Sequence, residues 1–459
     1  MRQQPLIAAI AVLCALASAT PSTHLYRSAD LVAVRAAIRG GSADARTVRS
    51  LGSLLRAADR LLVPPPNGSS WSFSTGPWSV MNKTIAPPSG ASRHDYVSIG
   101  IYNHPCNALP DGCTPYPGGH LLPPSQCDNA SGLPWEPCDG QRNQGAIDEG
   151  DAPRQGAMQG AVIKLAAAAY FCNATATARD DDCAAPYARR AAQVLDVWFL
   201  RNATAMHPNL SYGQIDPKAA DVPVRPGHGG FIEWAHTAEL LDAVLLLRAA
   251  DPAGVWWSAA QHAAFVGWVR AFEGYVEGKA AQGERRMTNN HASWYDATWQ
   301  AVALFAGNAT AAAIGAAEVA TERIAKQILP NGTQWIELQR HEPSGYCQYN
   351  LVALSQDAEL SRNGKASGVD IWGFQTADGR SLRKAIDYML PFAAGWAPWP
   401  YPQPEAPSWA EMSSVLRRAA NAFQNRTYEE ARCFVVGGAD KDKSMLNLMM
   451  PPHFADVTC

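Results

Sequence analysis

The stretch Thr288-Asn289-Asn290-His291-Ala292-Ser293-Trp294-Tyr295-Asp296-Ala297-Thr298-Trp299 crowds amides, an imidazole, an acid and aromatic rings into a short helical run. At helical spacing Asn290, His291, Trp294, Tyr295 and Thr298 share one face. That face is too polar for an ordinary core stripe. Taken alone, His291 and Asn290 read as satisfied capping or core groups and the tryptophans as packing. The clustering weighs against that reading, and so does a second polar constellation near residue 340.

Working outward, alanine-rich amphipathic runs recur at 29–39, 46–62, 155–172, 184–200, 231–250, 258–280, 290–306, 310–328, 347–361, 380–393 and 408–434. Strand-like alternation is scarce, and Gly and Pro clusters such as Pro64-Pro65-Pro66 and 398–407 punctuate the runs. Helices joined this often by short turns predict an all-α chain of stacked antiparallel pairs. No repeat of fixed period is visible, so a closed or nearly closed (α/α) toroid is expected rather than a solenoid. Length alone favours about three domains of ~150 residues; the uninterrupted helical pattern favours one, over 20–459. Residues 64–152 break the pattern with Pro, Gly, Asn and Cys. This stretch is expected to cross and partly roof a cleft; its middle, 106–132, reads equally well as a glycosylated surface insertion.

Hydrophobic residues at 47%, charged residues at 17% and a net charge of -3 place the chain among globular proteins, and no basic patch suggests a nucleic-acid partner. Residues 1–19 carry Arg2, an apolar run from Leu6 to Leu16 and then Ala17-Ser18-Ala19, the pattern of a cleaved secretory leader. No other segment approaches the ~20 apolar residues of a membrane span. Asn-X-Ser/Thr sequons at Asn67, Asn82, Asn129, Asn173, Asn202, Asn209, Asn308, Asn331 and Asn425 fit a secreted glycoprotein. The expectation is a monomeric secreted protein, free or associated with a cell wall, with no membrane contact. In an oxidising compartment near neighbours pair readily, so Cys106–Cys113, Cys127–Cys138, Cys172–Cys183 and Cys433–Cys459 are the expected disulfides, with Cys347 free. No Cys/His spacing suggests zinc, and no motif suggests a nucleotide, flavin or haem, so neither cofactor nor metal is expected.

The second constellation runs from Trp335 to Asn350. Pro343 and Gly345 predict a turn from Arg340 to Tyr346, with a helix beginning near Asn350. On such a connection Arg340 and Tyr346 both point into the mouth of a toroid. Singly, they read as a surface ion pair and a packing residue.

Together these groups suit elimination at a uronic acid. Breaking a polyuronate without water requires neutralising the carboxylate so that the C5 proton becomes acidic, removing that proton, and protonating the departing O4 oxygen. Amide, imidazole and guanidinium donors stabilise the charge that develops as the carboxylate becomes enolate-like, which points to Asn290, His291 and Arg340. A cation beside a tyrosine lowers its pKa and makes phenolate available as a base, which points to Tyr346. In β-mannuronate or β-glucuronate the C5 hydrogen and O4 lie on one side, so one tyrosine serves twice. Guluronate requires groups on opposite faces, which His291 and Tyr346 supply. Among the 15 tryptophans, some suit stacking on pyranose faces.

Asn289-Asn290-His291-X-X-Trp294-Tyr295-Asp296 resembles the Asn-Asn-His-X-X-Trp-Tyr signature of the alginate lyase domain, shared by polysaccharide lyase family five and its glucuronan-cleaving relatives. Glu337-Leu338-Gln339-Arg340 followed by Tyr346 and Asn350-Leu351 is similar to that domain's Arg and Tyr segment. Upstream, Ser79-Val80, Lys83, Pro87-Pro88-Ser89-Gly90, His94-Asp95-Tyr96-X-Ser98-X-Gly100-X-Tyr102 and Asp139-Gly140-Gln141-Arg142-Asn143 resemble its lid segment. Met206-X-Pro208-Asn209-Leu210-X-Tyr212-X-Gln214 and Trp372 to Leu382 also match. The resemblance, over residues 79–392, implies a toroid performing β-elimination on mannuronan, alginate or glucuronan. It assigns carboxylate neutralisation to Asn290 and Arg340 and the proton work to His291 and Tyr346. Tyr102, Arg142, Tyr212, Gln214 and Asn289 become candidate substrate contacts, with Trp294 and Tyr295 as cleft walls. One departure stands out: the family's lid continues after the tyrosine with paired tryptophans and Pro-Asp-Pro, whereas Asn103-His104-Pro105-Cys106 follows here.

Two alternatives remain at this stage. A toroid glycosidase needs two carboxylic acids flanking the bond at ~5–9.5 Å; Asp296, Glu233, Glu239, Glu337 and Glu342 are candidates without a recognisable pair. A non-catalytic uronate-binding wall or matrix glycoprotein keeps the aromatics and Arg340 but has no need of Tyr346.

Overall fold

The computed structural model describes residues 20–63, 72–74, 76, 92–172, 180–217, 230–364, 369–438, 441–454 and 456–457. The expected leader, the sequons Asn67, Asn82 and Asn173, the lid motif over 79–91 and Cys459 lie outside them.

Helix pairs dominate. α4 (Ala152–Phe171) packs on α5 (Asp180–Leu195), α10 (Asn290–Ala306) on α11 (Ala309–Glu318), α12 (Pro343–Asn363) on α13 (Leu382–Ala393), and α14 (Met412–Phe423) on α15 (Arg426–Val435). The neighbours α1 (Ser28–Arg39) and α2 (Ala45–Asp59), and α7 (Thr237–Ala250) and α8 (Ala259–Glu277), make little direct contact, α8 packing on α10 instead. Short helices α3 (Gln144–Asp148), α6 (Gly230–Glu233), α9 (Gln282–Arg285) and α16 (Leu446–Met449) fill the connections. One member of each pair packs on its counterpart in the next, in the order α2, α4, α7, α10, α12, α14. That chain of inner helices is the expected (α/α) toroid. Alanines make it possible on α4, where Ala161 and Ala166 to Ala169 are buried and let neighbouring backbones close in.

Inner helices are enclosed on every side, which explains why α10 shows no clean apolar stripe. Several of its buried polar groups are satisfied across the ring: Arg323 donates two hydrogen bonds to Asp296 (2.7 and 3.2 Å), Ser293 bonds Gln327, and Gln300 donates to Asp357. Asp296 is therefore a structural counterion, not an exposed acid. Gly307, at φ 83°, ends α10 in the left-handed conformation that favours glycine.

The chain ends meet across the remaining gap. Arg46 on α2 and Arg417 on α14 both donate to Glu429 on α15, Asn447 of α16 bonds Ser50 of α2, and Asp242 of α7 accepts the backbone N–H groups of His24, Leu25 and Tyr26.

The long non-helical segment carries strands β1 (Val97–Ile99), β2 (Asn103–Pro105) and β3 (Trp135–Pro137), with β4 (Tyr212–Ile215) returning to pair parallel with β1. Two disulfides staple it, but not as expected: Cys106 pairs with Cys127 and Cys113 with Cys138. The antiparallel β2–β3 pairing explains the correction. It lays Cys138 beside Tyr102, whose carbonyl accepts the Cys138 N–H, while Asp139 N–H reaches Thr114 O; the hairpin thus brings 113 to 138 and leaves 106 for 127. Cys172–Cys183 forms and Cys347 is free and buried, both as expected. Cys433 is also disulfide-bonded, while its expected partner Cys459 falls outside the described residues.

Two helix boundaries differ from expectation. α12 begins at Pro343, since proline's fixed φ and missing N–H suit the first helical turn; Tyr346 therefore sits on the helix rather than in a turn. The run 408–434 is two helices, broken at Gln424 (φ 50°) and restarted by Asn425, whose side chain caps Thr427 N–H. No described helix is long and apolar enough to cross a membrane.

Candidate active site

The N-termini of α10 and α12 and the segment before α12 converge. Asn290 opens α10, but Asn289 makes no side-chain cap; Glu337 takes that place, accepting the Asn290 backbone N–H (2.7 Å) and its side-chain amide (2.9 and 3.1 Å). A carboxylate at a helix N-terminus meets unpaired N–H groups and the positive end of the dipole. His291, next on the helix, places Nδ1 2.9 Å from Glu284 Oε2.

Arg340 is held more tightly still. Its Nε lies 3.0 and 3.2 Å from the Asp139 oxygens and its Nη2 2.5 Å from Oδ1, while the Asp139 carboxylate also accepts the His341 N–H at 3.1 Å. The same Nη2 donates to the Tyr346 hydroxyl at 2.7 Å, and Tyr346 in turn donates to Tyr102 OH at 2.8 Å. The guanidinium also lies over the Tyr346 ring, 3.6 Å from its centre. A chain Asp139–Arg340–Tyr346–Tyr102 results, joining residues expected together with one not singled out as a site residue.

Each donor is thus backed by a protein carboxylate: Asn290 by Glu337, His291 by Glu284, Arg340 by Asp139. Among the described residues, His291 Nε2 and Arg340 Nη1 have no hydrogen-bond partner, and neither is sealed from solvent. Those two atoms are the donors of the group left free to meet a ligand. With three carboxylates behind them, oriented hydrogen bonds rather than net positive charge must select an anion.

The electrostatics revise one expectation. Burial pushes the Tyr346 phenol well above its ordinary value and the Tyr102 hydroxyl adds to this, while Arg340 opposes both without prevailing. Tyr346 is consequently a neutral phenol at rest, not the ready phenolate expected from the neighbouring cation. For His291, burial pulls the imidazole down, but the charge and hydrogen bond of Glu284 more than offset it, so protonation is favoured. Burial raises Glu337, and its Asn290 hydrogen bonds only partly counter this.

The other expected contacts divide. Gln214, at φ 50°, donates its N–H to Ser98 Oγ, which with Tyr96 OH donates to Glu233. Tyr212 packs with Val97, Ile99, Ala146 and Ile215 beside that group. Arg142 is exposed and makes no hydrogen bond to the Asn290–Tyr346 group. Asn289 accepts a bond from Gln327 at its carbonyl and leaves Oδ1 buried without a partner. Trp294 is buried against Tyr349. Tyr295 is fully buried, bonds Val276 O and packs on Phe231, so it is a core residue and not a cleft wall; its position on an enclosed inner helix is the reason.

Residues that the sequence did not single out as site residues include Glu284, Tyr116 and, although it lies in the lid motif, Asp139. Tyr116 comes from the stapled insertion, stands edge-on to Tyr102 and lies 5.1 Å from the Arg340 guanidinium with its side chain 38% exposed. It places an aromatic ring beside both Tyr102 and Arg340. The disulfide cysteines were the available signal, because they mark where the insertion folds back.

Glu233 yields a stability prediction. Desolvation pushes its carboxyl up to about 7, against hydrogen bonds from Ser98 and Tyr96 that favour the charged form; its Oε1 is sealed without a partner. A carboxyl raised on folding holds its proton longer in the folded state than in the unfolded one. Stability is therefore highest below the unfolded value near 4.5 and falls as pH rises towards 7. Glu233→Gln should remove this slope, by on the order of 2–3 kcal/mol between pH 4.5 and 7.5. Urea unfolding at several pH values checks it, and an unchanged slope would refute the assignment.

The alginate lyase family model matches residues 79–399. A crystal structure of an alginate lyase from Bacteroides ovatus aligns with a TM-score of 0.74 and 28% identity, covering 93% of this chain and 98% of that one. Alginate lyase A1-III, solved as a histidine-to-alanine variant with a tetrasaccharide, aligns at a TM-score of 0.49 and 16% identity over 89% of each chain. No curated protein matches the chain. With a family match spanning most of its length and a toroid shared with a solved lyase, this chain belongs to the alginate lyase family and is a polysaccharide lyase.

Proposed function

We propose that this protein is secreted and cleaves a β-1,4-linked polyuronate, mannuronan, alginate or glucuronan, by β-elimination. The observation that carries the proposal is the hydrogen-bonded chain from Arg340 through Tyr346 to Tyr102, with the His291 imidazole within electrostatic reach of Arg340. His291 Nε2 and Arg340 Nη1 hold the uronate carboxylate; Asn290, expected to share in neutralising it, is buried with its amide bound to Glu337 and instead sets the start of α10 that carries the imidazole. Tyr346, once ionised, takes the C5 proton. The C4–C5 double bond forms as the C4–O4 bond breaks, and the phenol returns its proton to O4. Arg340 Nη2, already aimed at the phenol oxygen, stabilises the phenolate in between. Tyr102 is the neighbouring hydroxyl through which that proton can be exchanged.

A glycosidase is disfavoured by specific contacts. Asp296 is neutralised by Arg323, Glu337 is occupied with Asn290, and Glu342 is exposed outside the group. A uronate-binding glycoprotein would share the donors but not require Tyr346 hydrogen-bonded at both ends.

Incubating the purified protein with mannuronan, glucuronan and mixed alginate should produce the ultraviolet absorbance of C4–C5-unsaturated uronate. New reducing ends without that absorbance would mean hydrolysis, and binding without either product would favour the matrix glycoprotein.

A further inference from the structure

Resting on the lyase reading, we infer that Asp139 is a positioning residue that aims Arg340 at the Tyr346 oxygen, and that the Cys113–Cys138 disulfide fixes Asp139 for this purpose. A guanidinium is a planar fork, and whichever carboxylate grips one edge decides where the other donors point. Asp139 grips the Nε–Nη2 edge. With that edge fixed, Nη2 also meets Tyr346 OH, and Nη1 is left for the cleft.

The alternative for a carboxylate in this position is a placeholder that substrate displaces. The structure argues against it. The Asp139 side chain is 4% exposed and bonds the His341 backbone N–H as well as Arg340. Its backbone is fixed from both directions, by the Asp139 N–H to Thr114 O bond and by the disulfide at the preceding residue. Gly140 follows at φ 75°, so close to the His341 ring that a Cβ would collide with it. Leaving Arg340 would require the whole strap to lift. The strap also holds the other end of the chain: Cys138 N–H bonds Tyr102 O, and Asn143 N–H bonds Ile101 O. One cross-linked turn therefore sets Arg340 and Tyr102 around the Tyr346 hydroxyl.

The test is a double-mutant cycle on the full chain, with unsaturated-uronate formation as the readout and thermal unfolding confirming that each variant is folded. Asp139→Ala should lower kcat on the order of 10²-fold, because the Tyr346 oxygen loses its aimed donor, with a smaller rise in KM as Nη1 is no longer held in place. In an Arg340→Ala background the same substitution should change kcat by less than about twofold, since Asp139 then has nothing to aim. A full Asp139→Ala effect in both backgrounds would overturn the inference, as would a rise in kcat, which marks a placeholder. If Asp139→Ala does not fold, Asp139→Asn replaces it in the same cycle with the same criteria. A wild-type protein that yields no unsaturated uronate overturns the lyase reading and this assignment together; additive effects in an active enzyme overturn the assignment alone.

Discussion

Tyr346→Phe is expected to reduce formation of unsaturated uronate by about 10²–10⁴-fold, the range removed with a general acid–base group, while oligosaccharide affinity stays within a few-fold of wild type. The substitution deletes one oxygen. Arg340 Nη2 loses an acceptor at 2.7 Å and Tyr102 loses a donor at 2.8 Å, but the ring remains beneath the guanidinium and Asp139 still holds Arg340. The loss should therefore fall on kcat rather than on binding. Because burial raises the Tyr346 phenol, the phenolate fraction grows with pH, whereas the imidazolium of His291, favoured by Glu284, is lost as pH rises past its own raised value. The reactive combination of phenolate and imidazolium is thus a minority form, most populated between the two values. The kcat/KM profile should rise up to a value above the ordinary His value of about 6.5 and then stay level to pH 10, since burial puts the phenol's own limb beyond that. Steady-state kinetics of both proteins from pH 5 to 10 measures this. Retained turnover in Tyr346→Phe would remove Tyr346 from the proton path.

How much of this was readable beforehand depends on how far apart the interacting groups lie in sequence. Most helices are legible because apolar periodicity is local; α13 runs over Leu382–Ala393, within the 380–393 span its pattern indicates. The four central groups were legible because they cluster in two short motifs. What each donor rests on was not. Asp139 is 201 residues from Arg340 and Glu337 is 47 from Asn290, so only the tertiary fold, through the stapled segment and the helical ring, brings them together. The same applies to the stapled insertion, where nearest-neighbour pairing of cysteines failed because a β-hairpin sets the register. Tyr346's ionisation is not legible in sequence, which shows the adjacent cation but not the burial that outweighs it. The break at 424–425 did leave a local signal, an Asn followed by Thr in capping position, masked by the long amphipathic run around it.

Ring closure predicts the largest effect on stability. Glu429 is fully buried, and Arg417 donates to both of its oxygens at 2.8 Å while Arg432 and Arg46 each reach it at 3.3 Å. Asp442 is the second carboxylate in the cluster, accepting two bonds from Arg432. Burial and the neighbouring Arg432 push Arg417 down to about 10, even with Glu429 pulling the other way, which shows how poorly the site tolerates more positive charge. Glu429→Ala would leave three arginines sharing one carboxylate. Removing one partner of a buried pair costs about 3–5 kcal/mol, because the stranded charge stays desolvated. The cost should appear as a lower urea midpoint in a protein whose Tyr346 chemistry is intact once folded. Adding Arg417→Leu to Glu429→Ala should recover part of the loss, since it removes a charge that the first substitution stranded, so the double variant should cost less than the sum of the singles. Arg417 also bonds Met450 O and Asn447, and Arg46 bonds Val457 O, so recovery should be incomplete. Strictly additive costs would mean that Glu429 and Arg417 contribute independently and that the toroid is closed by apolar packing alone.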